Sequence, residues 1–327
     1  MAIASKETLG YSLQWQISKV NSKTKMKNQI ASDQNNTRSL KLQMAKEHMY
    51  RLASRFQIAQ GFIPAGNAVI WLIVLQQNPE LKVWSVFLGF LIPLFDAVLL
   101  DPLQKKWKLT AAKVQELFDS ELLHLQWNSF KVGEKLDEEI IVEHAEKFKR
   151  KKMRDNHLAN WYTFEFADLP YSAARIICQR SNCWWDSQMR NVYSWLLLGF
   201  ISIIGATAIV YGIAVKLSMD NFILTFVAPL APFVLWAIKE ARHQRNTAKQ
   251  GEKLLKYANQ IWAEACKHQE DESSLQFKSR ELQDEIFSRR KDSPINPRWL
   301  YFFKRNEYQK QMVEGGQELI TNYRQKL

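Results

Sequence analysis

The run Ala173-Ala-Arg-Ile-Ile-Cys-Gln-Arg-Ser-Asn-Cys-Trp-Trp-Asp186 holds the densest set of residues able to do chemistry in this chain. Arg175, Gln179, Asn182 and Asp186 follow steps of four, three and four, the spacing that lines one face of a helix. Arg180 and Trp185 stand beside that face, and Arg190 and Tyr193 follow it. Guanidinium and amide groups gathered this way suit two roles. They can form a phosphate- or nucleotide-responsive pocket, or they can close a buried Arg–Asp network between helices. Trp184 and Trp185 equally suit anchoring at the level of lipid headgroups.

Other candidate chemistry is sparse. No hydrolase, kinase, Walker-type or dinucleotide-binding motif occurs, and no Gly-rich phosphate loop exists among only 11 glycines. His124, His144 and His157 lack ligand spacing. Cys178 and Cys183 are too loosely spaced for a metal pair, and with Cys266 they make an odd set of free thiols. The acidic group Glu138, Glu139, Glu143 and Glu146 precedes the basic run Lys147-Phe-Lys-Arg-Lys-Lys-Met-Arg154. Both read as solvated surface, with contact to anionic lipid or phosphate as the alternative for the basic run. No catalytic residues, metal or cofactor are therefore expected, and no DNA or RNA partner.

The elements that must position these residues include four hydrophobic segments in two pairs. Residues 63–75 lead through a short loop into residues 83–100, and residues 192–215 lead through another into residues 222–238. A hydrocarbon core of about 30 Å needs about 20 apolar residues in a helix. The third segment has no charge from Trp195 to Val215. The first is short, contains Pro64, and reaches spanning length only from about Ile58. Asp96 is the one ionisable side chain within the spans, four residues from the end of its segment. Asn67, Asp96, Thr207, Tyr211 and Thr225 are candidates for a pore or a polar bundle interior, while Gly205, Ala208 and Gly212 offer a small-residue face. Four helices leave little room for an aqueous lumen, so a pore would require a homo-oligomer in the lipid bilayer.

Charge sets the expected topology. The net +12 is spread as 10 basic against 3 acidic residues over 1–57, 15 against 14 over 101–191, and 18 against 13 over 239–327. Arg51, Arg55, Lys105, Lys106, Lys108, Arg190, Lys239, Arg242 and Arg245 flank the spans on one side only. Lys and Arg beside spans stay in the cytoplasm, so both termini are expected there. The expected fold is an all-α membrane protein with four transmembrane helices in two hairpins and a helical cytoplasmic domain. Its parts are an N-terminal arm and amphipathic helix (1–57), hairpin one (58–100), a cytoplasmic helical region (101–191), hairpin two (192–238) and a C-terminal helical region (239–327). Residues 1–37 read as a mobile arm or partly ordered cap. Leu42, Ala45, Met49, Leu52 and Phe56 make a helical stripe that suits either an interfacial helix or one packed on the domain. Residues 161–166 read as a turn or short strand. Residues 239–285 read as one helix continuing the fourth span. Residues 293–297 read as a break before a terminal helix around 301–323, with Gly315 and Gly316 as a point of interruption.

Three stretches carry a resemblance. They are Ala112-Lys-Val-Gln-Glu-Leu-Phe-Asp119 with Leu125-Gln-Trp-Asn128; Asn160-Trp-Tyr162 through Ala174-Arg-Ile-Ile-Cys-Gln-Arg-Ser-Asn182 to Trp185-Asp186; and Arg280-Glu-Leu-Gln-Asp-Glu-Ile286 with Arg289, Arg290, Pro294 and Arg305. On these the chain resembles the SMODS-associated four-transmembrane effectors, pore-forming proteins of bacterial anti-phage systems. The resemblance implies an inner-membrane effector that depolarises the infected cell and arrests growth, under control of a cyclic oligonucleotide made by a partner nucleotidyltransferase or cyclase. Its signature positions are Arg175, Gln179, Arg180, Asn182 and Asp186, and these with Trp185, Arg289 and Arg290 are the candidate ligand-sensing or coupling positions. A small channel or transporter component outside defence is the alternative.

Overall fold

A computed structural model of the protein describes residues 28–151, 158–267 and 271–326. The long helices, in chain order, are α1 (Thr37–Gln77), α2 (Pro79–Leu122), α3 (Glu138–Arg150), α4 (Tyr171–Ala214), α5 (Met219–Ala265), α6 (Glu272–Asp292) and α7 (Arg298–Arg324). No strand occurs among the described residues. α1, α2, α4 and α5 contain 41, 44, 44 and 47 residues and are apolar enough to cross a membrane, in two hairpins. At 1.5 Å per residue each is about twice as long as the hydrocarbon core is thick. One half of each rod therefore spans, and the other half builds a polar helical module.

In the spanning halves the large apolar side chains Phe62, Val83, Phe90, Ile203 and Ile213 point outward. That is the arrangement lipid requires, since backbone hydrogen bonds are closed within each helix. Helices approach closely where a side chain is missing. A Cβ on Gly61 would lie 2.6 Å from the Trp236 ring, and one on Gly212 would lie 2.8 Å from Phe222. Of the two glycines on the expected small-residue face, Gly212 meets such a neighbour and Gly205 has open space around it. α2 and α5 each carry a π-helical turn, Asp96–Leu100 and Ile223–Val227.

The main core sits in the module, where α1, α2, α4, α5, α6 and α7 bury Met49, Phe118, Ile176, Ile261, Ile286 and Met312. The stripe Leu42, Ala45 and Met49 is fully buried there, with Leu52 and Phe56 partly covered, so this part of α1 packs on the module rather than lying in the interface. Residues 161–166 form no strand. They are extended, with Tyr162, Phe164 and Phe166 buried and the residues between them exposed. The neighbour that a second strand would supply is the Gln34 side chain. Its amide accepts from Tyr162 N at 2.9 Å and donates to Tyr162 O at 2.8 Å. Asn28 similarly donates to the carbonyls of Phe166 and Leu169. Residues 28–36 thus act as a cap, and the remainder of the expected arm lies outside the described residues.

Two further expectations need correction. The helix continuing the fourth span ends at Ala265, and α6 starts afresh at Glu272 after a polar run, packing back against α5. Gly315 and Gly316 do not interrupt α7; Gly316 lies where a Cβ would meet Phe164 at 2.4 Å. Residues 293–297 are irregular, as their two prolines demand.

Candidate functional site

A cavity of about 300 Å³ opens in the module between α1, α2, α4, α6 and α7. That is the lower end of the size range of small-molecule sites. Its lining is cationic and aromatic. Lys46, Arg51, Arg190, Arg289, Arg290 and Arg298 face Glu47, Asp119 and Asp186, among Tyr50, Trp161, Tyr162, Trp185, Tyr301 and Phe302. Cations outnumber carboxylates two to one.

The helices position these groups by simple periodicity. Asn182, Trp185 and Asp186 occupy one face of α4, and Arg289 and Arg290 come from the last turn of α6. Trp185 is wedged among Trp161, Tyr301 and Tyr308, with ring centroids 5.1, 6.2 and 5.9 Å away. Asn182 accepts from Trp161 Nε1 at 3.0 Å and donates to the Tyr162 hydroxyl at 2.7 Å. Asp186 accepts from Arg190 Nε at 2.7 Å, from Arg289, and from Asn296 Nδ2 at 3.3 Å. Burial alone would raise the Asp186 carboxyl, but Arg190 and Arg289 outweigh it and hold the group below the usual carboxylate range. Asp119 pairs with Arg290. Glu47 is shared by Arg51 at 3.1 Å and Arg298 at 3.2 Å. Lys46 hydrogen-bonds to Gln43 and has no carboxylate within ion-pair distance among the described residues. Burial pushes its ammonium down, against the pull of Glu47 and Asp119. A phosphate at this wall would relieve that imbalance.

A hydrogen-bonded relay leaves the cavity toward the spans. Arg190 donates to Gln244 at 2.8 Å and to Pro294 O at 2.7 Å. Gln244 donates to Glu240 at 2.9 Å, and Gln57 donates to the same carboxylate at 3.0 Å. Gln57 also holds the backbone of Ile295 from both sides, at 2.8 Å each, and accepts from Gln104 at 2.9 Å. Gln57 is the last residue before Ile58, so the relay ends at the base of the first hairpin.

The expected constellation is divided. Asn182, Trp185, Asp186, Arg289 and Arg290 meet at the cavity. Gln179 is buried away from it, bonded to Ser279 O at 2.9 Å and Gln283 at 3.0 Å on α6. Arg180 bonds to Asn259 on α5 at 2.7 Å. Arg175 is buried against Tyr171 O, and its Nη1 finds no partner among the described residues. A helix face spanning Arg175 to Asp186 therefore meets two different neighbours. Lys46, Tyr50, Tyr301 and Phe302 were not singled out from the sequence. The one signal was the four-residue step from Lys46 to Tyr50, off the apolar stripe of α1.

The polar positions of the spans do not converge. Asp96 accepts from Gln60 at 2.6 Å. Asn67 is half-buried, with Nδ2 lacking a partner among the described residues. Thr207 is exposed and returns its hydroxyl to Ile203 O at 2.9 Å. Tyr211 is exposed with its ring against Phe226, and Thr225 is half-buried. The three cysteines are buried and unpaired, and no cluster of three metal-ligating side chains occurs among the described residues. His157 lies outside them.

The chain is similar to a protein from Bacillus cereus (strain VD146) described as a probable CBASS effector molecule. The two are 28% identical over 233 residues, which is 71% of this chain and 76% of the relative. No solved structure matches. The description SMODS-associating 4TM effector domain matches residues 28–319, from the Asn28 cap through both hairpins, the cavity and nearly all of α7. The chain belongs to that family of four-span membrane effectors.

Proposed function

We propose that this protein is the membrane-acting effector of a bacterial anti-phage system and that its cavity is the ligand sensor. A cyclic oligonucleotide fits the chemistry of the lining. Its phosphates suit the guanidinium edges of Arg190, Arg289 and Arg298 and the ammonium of Lys46, and its bases suit the Trp161, Trp185 and Tyr301 rings. The resting contacts of Asp186 with Arg190 and Arg289 occupy the edges that a phosphate would take. Ligand entry therefore works by exchange, and Arg190 passes the change to Gln244, Pro294 and the base of the first hairpin. The protein is not an enzyme in this reading. Several copies assemble in the inner membrane, since the polar positions of the spans do not converge within one bundle, and together depolarise it. The Lys/Arg bias supports a cytoplasmic module and cytoplasmic termini.

The observation that carries this reading is the cationic, aromatic cavity set directly on helices that continue into the membrane. The test is membrane potential in cells expressing the chain alone and with its genomic neighbours. Depolarisation that needs a signal-producing neighbour, and that is lost in Lys46→Gln with Arg298→Gln, is the expected result. Depolarisation unchanged by both substitutions would remove the cavity from the mechanism, and no depolarisation under phage challenge would favour a channel component outside defence.

A further inference from the structure

A second cavity, of about 340 Å³, lies lower in the molecule, where α1, α2 and α5 leave the spans and the end of α6 closes over them. Its membrane side is formed by Gln60, Asp96 and Trp236. Its other walls carry Lys105, Lys108, Lys239 and Lys291. Lys108 is only 4% exposed. Its one hydrogen bond among the described residues is a long one, 3.3 Å to Asp292 O, and no carboxylate lies within ion-pair distance. Burial pushes its ammonium down to about 8. A buried ammonium with a single carbonyl partner is an unfinished site.

The acids that share the cavity have partners other than Lys108. Asp101 pairs with Lys105 at 2.6 Å. Asp96 accepts from Gln60, and Glu240 accepts from Gln57 and Gln244. Burial raises the Glu240 carboxyl, against the hydrogen bond from Gln244 and the charges of Arg190 and Lys108. Asp292, exposed at the rim, and Glu240 draw the Lys108 ammonium back up, but neither forms an ion pair with it. That leaves Lys108, Lys239 and Lys291 without an ion pair among the described residues.

The level of the site selects its occupant. Lys108 stands two turns past Leu100, roughly 12 Å along the helix. Lys239 is the first residue after the fourth span. Both α2 and α5 run from span to module, and helical side chains lean toward their own N-terminus. The Cα–Cβ bonds of both lysines therefore tilt toward the bilayer, and Trp236, an interfacial ring type, shares the cavity lining with them.

We infer that this second cavity binds the phosphate of an anionic phospholipid headgroup, with Lys108 at its floor and Lys239 and Lys291 at its mouth. The site is separate from the ligand sensor and stands whether or not a nucleotide controls the protein.

The test is native mass spectrometry of the detergent-purified full chain with phosphatidylglycerol, phosphatidylcholine or inorganic phosphate added in turn. The expected result is retention of phosphatidylglycerol over phosphatidylcholine, falling about fivefold for each lysine removed. Lys108→Gln tests the floor. Lys239→Gln with Lys291→Gln changes only the accessible mouth and keeps the test valid if the buried substitution disturbs folding. Equal retention of both lipids, or retention unaffected by either variant, would overturn the site. Binding of inorganic phosphate that displaces phosphatidylglycerol would overturn the lipid assignment. Phosphatidylglycerol retained in excess phosphate would uphold it.

Discussion

Asp119 and Arg290 form an ion pair whose side chains are 3% and 12% exposed, at the inner wall of the first cavity. Asp119 also accepts from Gln283, and the neighbouring Glu116 takes Arg280 at 2.6 Å. Removing one partner of such a pair leaves a buried charge without its counter-ion. Arg290→Met should cost about 3–5 kcal/mol in unfolding free energy, read from chemical denaturation in detergent. Adding Asp119→Asn should recover part of that loss. A single variant as stable as the parent would show that the pair contributes only position. At this scale the sequence was partly legible. The four-three-four step put Asn182 and Asp186 together, and Arg289 and Arg290 were singled out. Lys46, Tyr50 and Tyr301 were not, because a cavity wall made by α1 and α7 depends on contacts some 250 residues apart in the chain. Nor did spacing show that Gln179 turns to α6 and Asn182 to the cavity. A helix periodicity reports which residues share a face, not which neighbour each residue meets.

α3 is held to α1 by a titratable contact. His48 and His144 approach through their Nδ1 atoms at 2.9 Å, both rings buried, with the Trp107 ring 5.4 Å from His144. Burial, helped first by His144 and then by Lys151, Lys147 and Arg55, lowers His48 to about 4; burial and Lys147 also lower His144, with Glu143 opposing. The docked form thus favours neutral rings. Its stability is full above the ordinary imidazole value of about 6.5 and declines as pH falls from there toward 4. Arg38, bridging Glu121 and Glu138, still ties the start of α3 in that window. Hydrogen exchange over residues 138–150, corrected for intrinsic rates, should show protection at pH 7 that is weakened at pH 5. Equal protection at both would mean that the pair does not hold the helix. The existence of the elements was the most legible level, because lipid tolerates only long uncharged helices and those leave an unmistakable run. The extended segment 161–166 was half legible. Its alternation is real, but its partner is the Gln34 side chain, which no strand pattern announces.

For the molecule as a whole, sidedness is open to a direct experiment. Phe130, 100% exposed on the module side, is a suitable reporter, since the three native cysteines are buried. Phe130→Cys should resist a membrane-impermeant maleimide in intact cells and react after permeabilisation; reaction in intact cells would reverse the topology. Four of the seven long helices among the described residues run unbroken from module to span, so neither part can turn freely on its own. The π-helical turn Asp96–Leu100 lies at the module end of the second span. Such a turn carries one residue more than the α-helix around it needs. Taking that residue up would rotate the outer part of the second span by about 100° against the module, with no helix broken. Asp96, now held by Gln60, would be swung toward a different neighbour. Any such shift would occur beside the lysine-lined cavity and would turn a different face of that span outward.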